Sequence, residues 1–300
     1  MNNKKIIYVN GCSYAEGCDI GEHLYPFFKK YYSYNEFISQ NVKTMERSQM
    51  SQLQNKTKFV ETSANHELVQ SIFRYEAEKR WSSQLADILG RPVINISSQG
   101  GASMFAIAHR TMADLSALRQ QGHTISDVII QLTFPGRYSF FGQVDDMYEP
   151  QLIRNGRYYH VKSGSLPNPQ NLRRSLIEEI CYEETHEMSL YRWLHEVYML
   201  KHAIEAVTQA RVIFVDSAFY IKGFYGPSTF KFSIQSHWLK KNSQDYLLDF
   251  KKILDEQVKL SMLTVIDPDE PDTITTSMHV TEKVHRLFAE SVARTYFNDQ

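Results

Sequence analysis

Five short runs rich in β-branched residues constrain this chain more than any other feature: Ile6–Val9, Val93–Ile96, Val128–Leu132, Val212–Val215 and Leu263–Ile266. Each is four or five residues long and mostly continuous in apolar character rather than alternating. Strands covered on both faces read this way. Between the runs, apolar residues recur at helical spacing. Trp81-Leu85-Ile88-Leu89 is one such segment, stopped by Gly90 and Pro92. Met104-Ala108-Met112-Leu115-Leu118 is a second, and the series from Leu190 to Val207 is the strongest. Tyr246 to Val258 and Val284 to Val292 complete the set. Strands alternating with helices predict an α/β fold: a three-layer α/β/α sandwich on a five-stranded, mostly parallel sheet. In such sheets the ligand crevice lies outside the carboxyl ends of the strands.

The alternation is broken at residues 18–75, 138–185 and 217–245. Structureless loops of that length are uncommon inside a compact domain. The expectation is one α/β domain over residues 1–300, with these stretches as insertions carrying some helix of their own. They either form a cap near the crevice or decorate the periphery. Aromatic residues, 18 Tyr and 17 Phe, concentrate partly in them. They serve as packing under long loops or as the lining of a substrate cleft.

Charged residues make up 22% and the formal net charge is −1, with no block of like charge. That balance argues against a nucleic-acid or membrane-surface partner. No run approaches the roughly 20 apolar residues of a membrane span, and Ile6–Val9 is too short for a signal-peptide core. Cys12, Cys18 and Cys181 are odd in number and lack a framework spacing. They predict a reduced, cytoplasmic protein.

The residues able to carry chemistry fall at strand ends. Ser13 follows the first run in Gly11-Cys12-Ser13-Tyr14-Ala15-Glu16-Gly17. A serine hydroxyl needs a base for its proton and donors for the oxyanion. A glycine-bounded turn between strand and helix exposes the hydroxyl and aims backbone N–H groups near it. After the second run, Asn95-Ile96-Ser97-Ser98-Gln99-Gly100-Gly101-Ala102-Ser103 allows close backbone approach, and the Gly100 N–H suits an oxyanion donor. A plain strand-to-helix turn explains it equally well. Thr133 and Arg137 follow the third run, where Arg137 either clamps an anionic substrate group or sits at the surface. Tyr14 and Ser103 join Arg137 as candidate substrate contacts. Near the C-terminus stands His279-Val280-Thr281-Glu282-Lys283-Val284-His285. Thr281 reads as an N-cap, which leaves His279 in the preceding loop, free to reach the crevice. His285, six residues on and roughly 240° around the helix, packs or caps locally. No metal-ligand spacing occurs, and no cofactor or metal is expected.

These four segments, in this order, resemble the four blocks of the SGNH (GDSL-type) hydrolase superfamily. Trp81 to Ser103 is similar to the Trp-x-x-x-Leu-Ala-x-x-Leu-Gly…Asn…Gly-Gly-x-Ser segment of its compact bacterial and phage members. His279 to Glu290 resembles the closing His-Pro-x-x-x-Gly-His-x-x-x-Ala pattern. The resemblance implies a flavodoxin-like α/β/α sandwich, with Ser13 as nucleophile and His279 as base. The Ser13 and Gly100 backbone N–H groups would be oxyanion donors. Substrates would be small-molecule or glycan acyl esters, hydrolysed or passed to another acceptor. Three departures stand out. Cys12 replaces the usual Asp before the serine. Thr133-Phe134-Pro135-Gly136 stands where Gly-Gly-Asn-Asp is expected, so Thr133 or Arg137 must supply the side-chain donor. The acid before the histidine is missing, and Asp272 is the favoured substitute among Asp267, Asp269, Glu270 and Asp272.

Three other readings compete: a catalytically silent relative that binds carbohydrate or an assembly partner, a phosphate or nucleotide binder using residues 11–17, and a cysteine nucleophile at Cys12 or Cys18.

Overall fold

The computed structural model describes residues 5–12, 74–95, 102–133, 137–144, 147–154, 186–217, 246–266 and 279–298, with single positions 15, 17, 20, 135 and 273. Four strands form one parallel sheet: β1 (Ile6–Asn10), β2 (Val93–Asn95), β3 (Ile125–Leu132) and, later in the chain, a strand at Arg211–Asp216. Their spatial order is β2-β1-β3 followed by Arg211–Asp216, every pairing parallel. The apolar runs are continuous because both faces are covered. Tyr8, Val128, Ile130 and Phe214 pack into one core, while Ile7, Val9, Ile129 and Ile213 pack into the other.

Helix α1 (Trp81–Leu89) follows helical residues 74–79, and α2 (Met104–Gln120) links β2 to β3. Between β3 and the fourth strand of the sheet lies an antiparallel ribbon of β4 (Arg137–Val144) and β5 (Met147–Arg154), then α3 (His186–Thr208). The Arg211–Asp216 strand is therefore β6. It is followed by α4 (Tyr246–Gln257), a 3-10 turn at Met262–Val265, and α5 (Glu282–Phe297). Buried residues of α1 and α5 fill the core on one face of the sheet. Those of α2, α3 and α4 fill the other, which gives the expected three layers. None of the helices among the described residues is long and apolar enough to cross a membrane.

Two expectations need correction. Among the described residues the sheet has four strands, where five were expected. Ser261 forms a single parallel bridge to Asp216, the last residue of β6. A strand running on from Ser261 would pass the end of β6, and no partner for it lies among the described residues. Leu263–Ile266 therefore loses its ladder, and the chain winds into the 3-10 turn, with Met262 fully buried in the α1/α5 core. The insertion at 138–185 was expected to carry helix, yet its first part is the β4–β5 ribbon, packed against α2. Aromatic and β-branched residues on both arms, with only two residues between Val144 and Met147, favour a hairpin. Most of residues 18–75, the later part of 138–185 and nearly all of 217–245 lie outside the described residues.

The direction of α5 matters for function. Its last residue, Phe297, stacks under the guanidinium groups of Arg91 and Arg211. Both arginines bind the buried carboxylate of Asp127, at 3.3 and 2.8 Å. Arg211 opens β6 and Arg91 precedes β2, so this cluster marks the amino edge of the sheet. The N-terminus of α5, and His279 just before it, consequently lie at the carboxyl edge.

Candidate functional site

β1 connects toward β2 on one side, and β3 connects toward β6 on the other. The reversal occurs between β1 and β3, and a crevice opens at the carboxyl ends of such a pair. The turn after β1 enters it. Asn10, fully buried, donates from Nδ2 to Thr111 Oγ1 (2.9 Å) and the Ile107 carbonyl (3.3 Å) of α2. Its Oδ1 accepts from the Gly11 N–H at 2.7 Å. The Ala15 N–H donates to the Cys12 carbonyl at 2.9 Å, so the residues flanking Ser13 and Tyr14 in sequence are held together.

Gly11 is required here by close approach. A Cβ on it would stand 2.7 Å from Ala15 Cβ, 2.8 Å from Gln131 Cβ and 3.1 Å from the Gln131 carbonyl oxygen. None of these is the end of a flexible side chain, so the turn would have to move. Gly11→Ala is expected to cost about 1–3 kcal/mol, the usual penalty of overpacking. A shift of about 1 Å at the turn would further slow any chemistry there by about 10²-fold. Urea midpoints beside single-turnover rates will separate the two effects. Gly17 closes the segment at φ +79°, a left-handed conformation that glycine adopts without strain.

Neighbouring strands grip this turn from both sides. Asn95, ending β2, donates from Nδ2 to the Ala15 carbonyl (2.8 Å) and to Ser82 Oγ (2.6 Å). From β3, the fully buried Gln131 lies against Gly11, and its Oε1 accepts from the Trp81 indole N–H at 3.1 Å. Trp81 and Ser82 are the first residues of α1, so one helix end braces both amides. None of this was anticipated from sequence for Asn10 or Gln131. The available signal was a polar residue ending or interrupting an otherwise apolar buried strand, which must find partners.

Cys12 is fully buried, with Sγ 3.6 Å from Ser217 Oγ. The Ser217 hydroxyl donates to the Leu132 carbonyl at 2.8 Å, so its one proton is committed. The Cys12 S–H is therefore the donor in the sulfur contact. That places the thiol in a structural relay joining the ends of β1, β3 and β6, against a nucleophilic role.

His279 is half-buried at the carboxyl edge, and Thr281 takes the N-cap position of α5 in extended conformation. The Thr281 N–H donates to the Thr273 carbonyl at 3.1 Å. Lys79 pairs with Glu282 at 3.2 Å, and the Tyr75 hydroxyl also donates to Glu282. Both contacts tie residues 74–79 to the first turn of α5. His285 is buried, and its Nδ1 accepts the Trp81 backbone N–H at 3.1 Å. It caps the neighbouring helix α1 rather than its own. Only an unprotonated Nδ1 accepts, which fixes the Nε2–H tautomer. Burial, reinforced by the charge of nearby His279, lowers the His285 pKa from 6.5 to about 3.

The remaining expected residues divide. The Thr133 hydroxyl, expected as an oxyanion donor, already donates to the Ala102 carbonyl at 2.9 Å, and the Thr133 carbonyl accepts from the Trp193 indole at 2.9 Å. Ser103, expected as a substrate contact, is fully buried and accepts from the Ala106 N–H as the N-cap of α2. Both residues shape the turn into α2. Arg137 opens β4, but its side chain is outside the described residues, as are Ser13, Tyr14, Gly100, Asp267, Asp269, Glu270 and Asp272. A cavity of about 620 Å³, lined by Lys5, Arg91, Asp127 and Arg211 among others, opens at the amino edge, across the sheet from the turn. Among the described residues, no group of three or more His, Cys, Asp or Glu side chains gathers as a metal site requires.

The chain matches no known family model and no curated protein. Among solved structures it is similar to one described as a carbohydrate esterase family 2 (CE2) enzyme plus carbohydrate binding domain, from Corynascus thermopiles (Myceliophthora fergusii). The identity is 9% and the TM-score 0.44, covering 97% of this chain and 66% of that one. The present chain thus spans less than two thirds of that protein's length.

Proposed function

We propose that this chain is a serine esterase, hydrolysing an acyl ester or passing its acyl group to another acceptor through an acyl-Ser13 intermediate. The observation that carries the reading is the bracing of Gly11, Cys12 and Ala15, the neighbours of Ser13 in sequence, at the β1/β3 reversal of a parallel sheet, with His279 on the same carboxyl edge. The four-block resemblance to the SGNH hydrolases also supports it.

In this mechanism His279 takes the Ser13 proton as Oγ attacks the ester carbonyl. The oxyanion is held by the Ser13 and Gly100 backbone N–H groups. Collapse expels the alcohol, which leaves with the proton from His279, and water then attacks the acyl-enzyme by the reverse sequence. Asp272 orients the imidazole, while Arg137 and Tyr14 contact substrate. An acetyl or other acyl ester of a small molecule or glycan fits these roles, with no metal or cofactor involved.

The test is covalent capture. A fluorophosphonate should add one adduct per wild-type molecule, none to Ser13→Ala, and react far more slowly with His279→Ala. An unlabelled wild type, or equal labelling of Ser13→Ala, overturns the reading. The engaged hydroxyl of Thr133, which removes one expected donor, keeps a silent binding protein as the rival. That rival predicts glycan affinity unchanged by Ser13→Ala, with no ester turnover.

A further inference from the structure

A tetrahedral oxyanion is best stabilised by a side-chain donor in addition to backbone N–H groups, and Thr133 has its hydroxyl committed elsewhere. Among the described residues, Asn95 Oδ1, Gln131 Nε2 and Gln257 Oε1 are buried side-chain polar atoms without a hydrogen-bond partner. Gln131 Nε2 is the donor among them. Its identity is secure, because the Trp81 indole N–H can only donate, so the amide atom facing it must be the oxygen.

Its place is equally telling. Ile130 pairs with Asn10, so Gln131 stands abreast of Gly11, whose missing Cβ would touch it. Two peptide units separate Gly11 from Ser13, a Cα distance of at most about 7 Å. A buried donor without an acceptor is disfavoured in the resting protein, and such groups call for an explanation in function. An oxyanion is an acceptor absent from the ground state, present only as the ester carbonyl is attacked. A donor left unpaired until then favours the transition state over the substrate.

We propose that Gln131, aligned by Trp81, donates its Nε2–H to the oxyanion formed at Ser13, replacing the asparagine that the third block lacks. The inference rests on the serine-esterase reading and adds the donor to it.

The test uses Gln131→Met, Gln131→Asn and the double variant Trp81→Phe/Gln131→Met, with rates normalised to fluorophosphonate-titrated Ser13. Gln131→Met should lower kcat by about 10²–10³-fold with KM little changed. Gln131→Asn, which withdraws the amide by one methylene, should lose a similar factor. The double variant removes the indole N–H together with its acceptor. It leaves no buried donor unpaired by the change, and it should still be slow while its Ser13 is titrated in full by the fluorophosphonate, a combination that loss of the fold does not produce. Wild-type kcat in Gln131→Met or in the double variant overturns the proposal while leaving the esterase reading intact. A wild type that forms no Ser13 adduct overturns both.

Discussion

Replacing Ser13 by alanine will lower ester turnover by about 10⁴–10⁶-fold while leaving the urea midpoint near that of wild type. The size is what the proposed mechanism requires, since alanine removes the atom that would form the acyl-enzyme and leaves only binding and oxyanion donors to assist water. The unchanged stability follows from how the turn is held. Its anchors are the Asn10 amide, the Ala15 N–H on the Cys12 carbonyl, the Asn95 amide on the Ala15 carbonyl, and the contact of Gly11 with Gln131. None uses the serine oxygen. Turnover of a chromogenic acetyl ester, measured beside the denaturation curve, checks both halves. A loss of less than about tenfold would mean that another residue attacks.

Acidification will destabilise the fold steeply, and His285 will account for much of the slope. Its pKa is about 3 in the folded protein, against 6.5 for a free imidazole. Between those values the unfolded chain holds a proton that the folded chain refuses. The contribution of the neutral ring is therefore complete above pH 6.5 and drains away as the pH falls toward 3. The slope is up to about 1.4 kcal/mol per pH unit, about 4–5 kcal/mol across the window. The physical cause is plain: protonating Nδ1 would break its bond from the Trp81 N–H and bury a cation beside His279. Asparagine at position 285 retains an acceptor but cannot charge. Urea midpoints from pH 7 to pH 4 should fall markedly less in His285→Asn than in wild type. Parallel curves would remove His285 from the account.

The layered fold was largely legible. Four of the five β-branched runs became strands, because continuous apolar character over four or five residues is what a doubly covered strand requires. The helix from Trp81 stopped at Gly90 as its spacing indicated. The fifth run misled for a physical reason: apolar content records burial, and Met262 is buried at the start of a 3-10 turn that follows the end of β6. The ribbon at 137–154 escaped because its aromatic residues fit a hairpin or a helix-bearing cap about equally well. At the candidate site, glycine spacing pointed to the segment after β1, and the N-cap at Thr281 put His279 just before α5. The braces were illegible. Gln131 and Trp81 are 50 positions apart, and His285 and Trp81 are 204 apart. Periodicity carries no information about pairings at that range. Ser103 and Thr133 were read as chemistry when their oxygens serve the backbone, a use local sequence does not separate from ligand binding.

The ending of the sheet at β6 has a consequence for how molecules of this protein meet one another. An unpaired strand edge invites a second chain to add to the sheet. Here the Tyr296 hydroxyl lies 3.4 Å from the Phe214 carbonyl, held by the Lys259 N–H and the Gln257 carbonyl. The next group along the edge, the Asp216 N–H, donates to the Leu260 carbonyl at 2.8 Å. A helix side chain and a stretch of irregular backbone thus occupy the positions where an intermolecular strand would dock. The missing fifth strand leaves behind a blocked edge, which disfavours aggregation through sheet extension at high protein concentration.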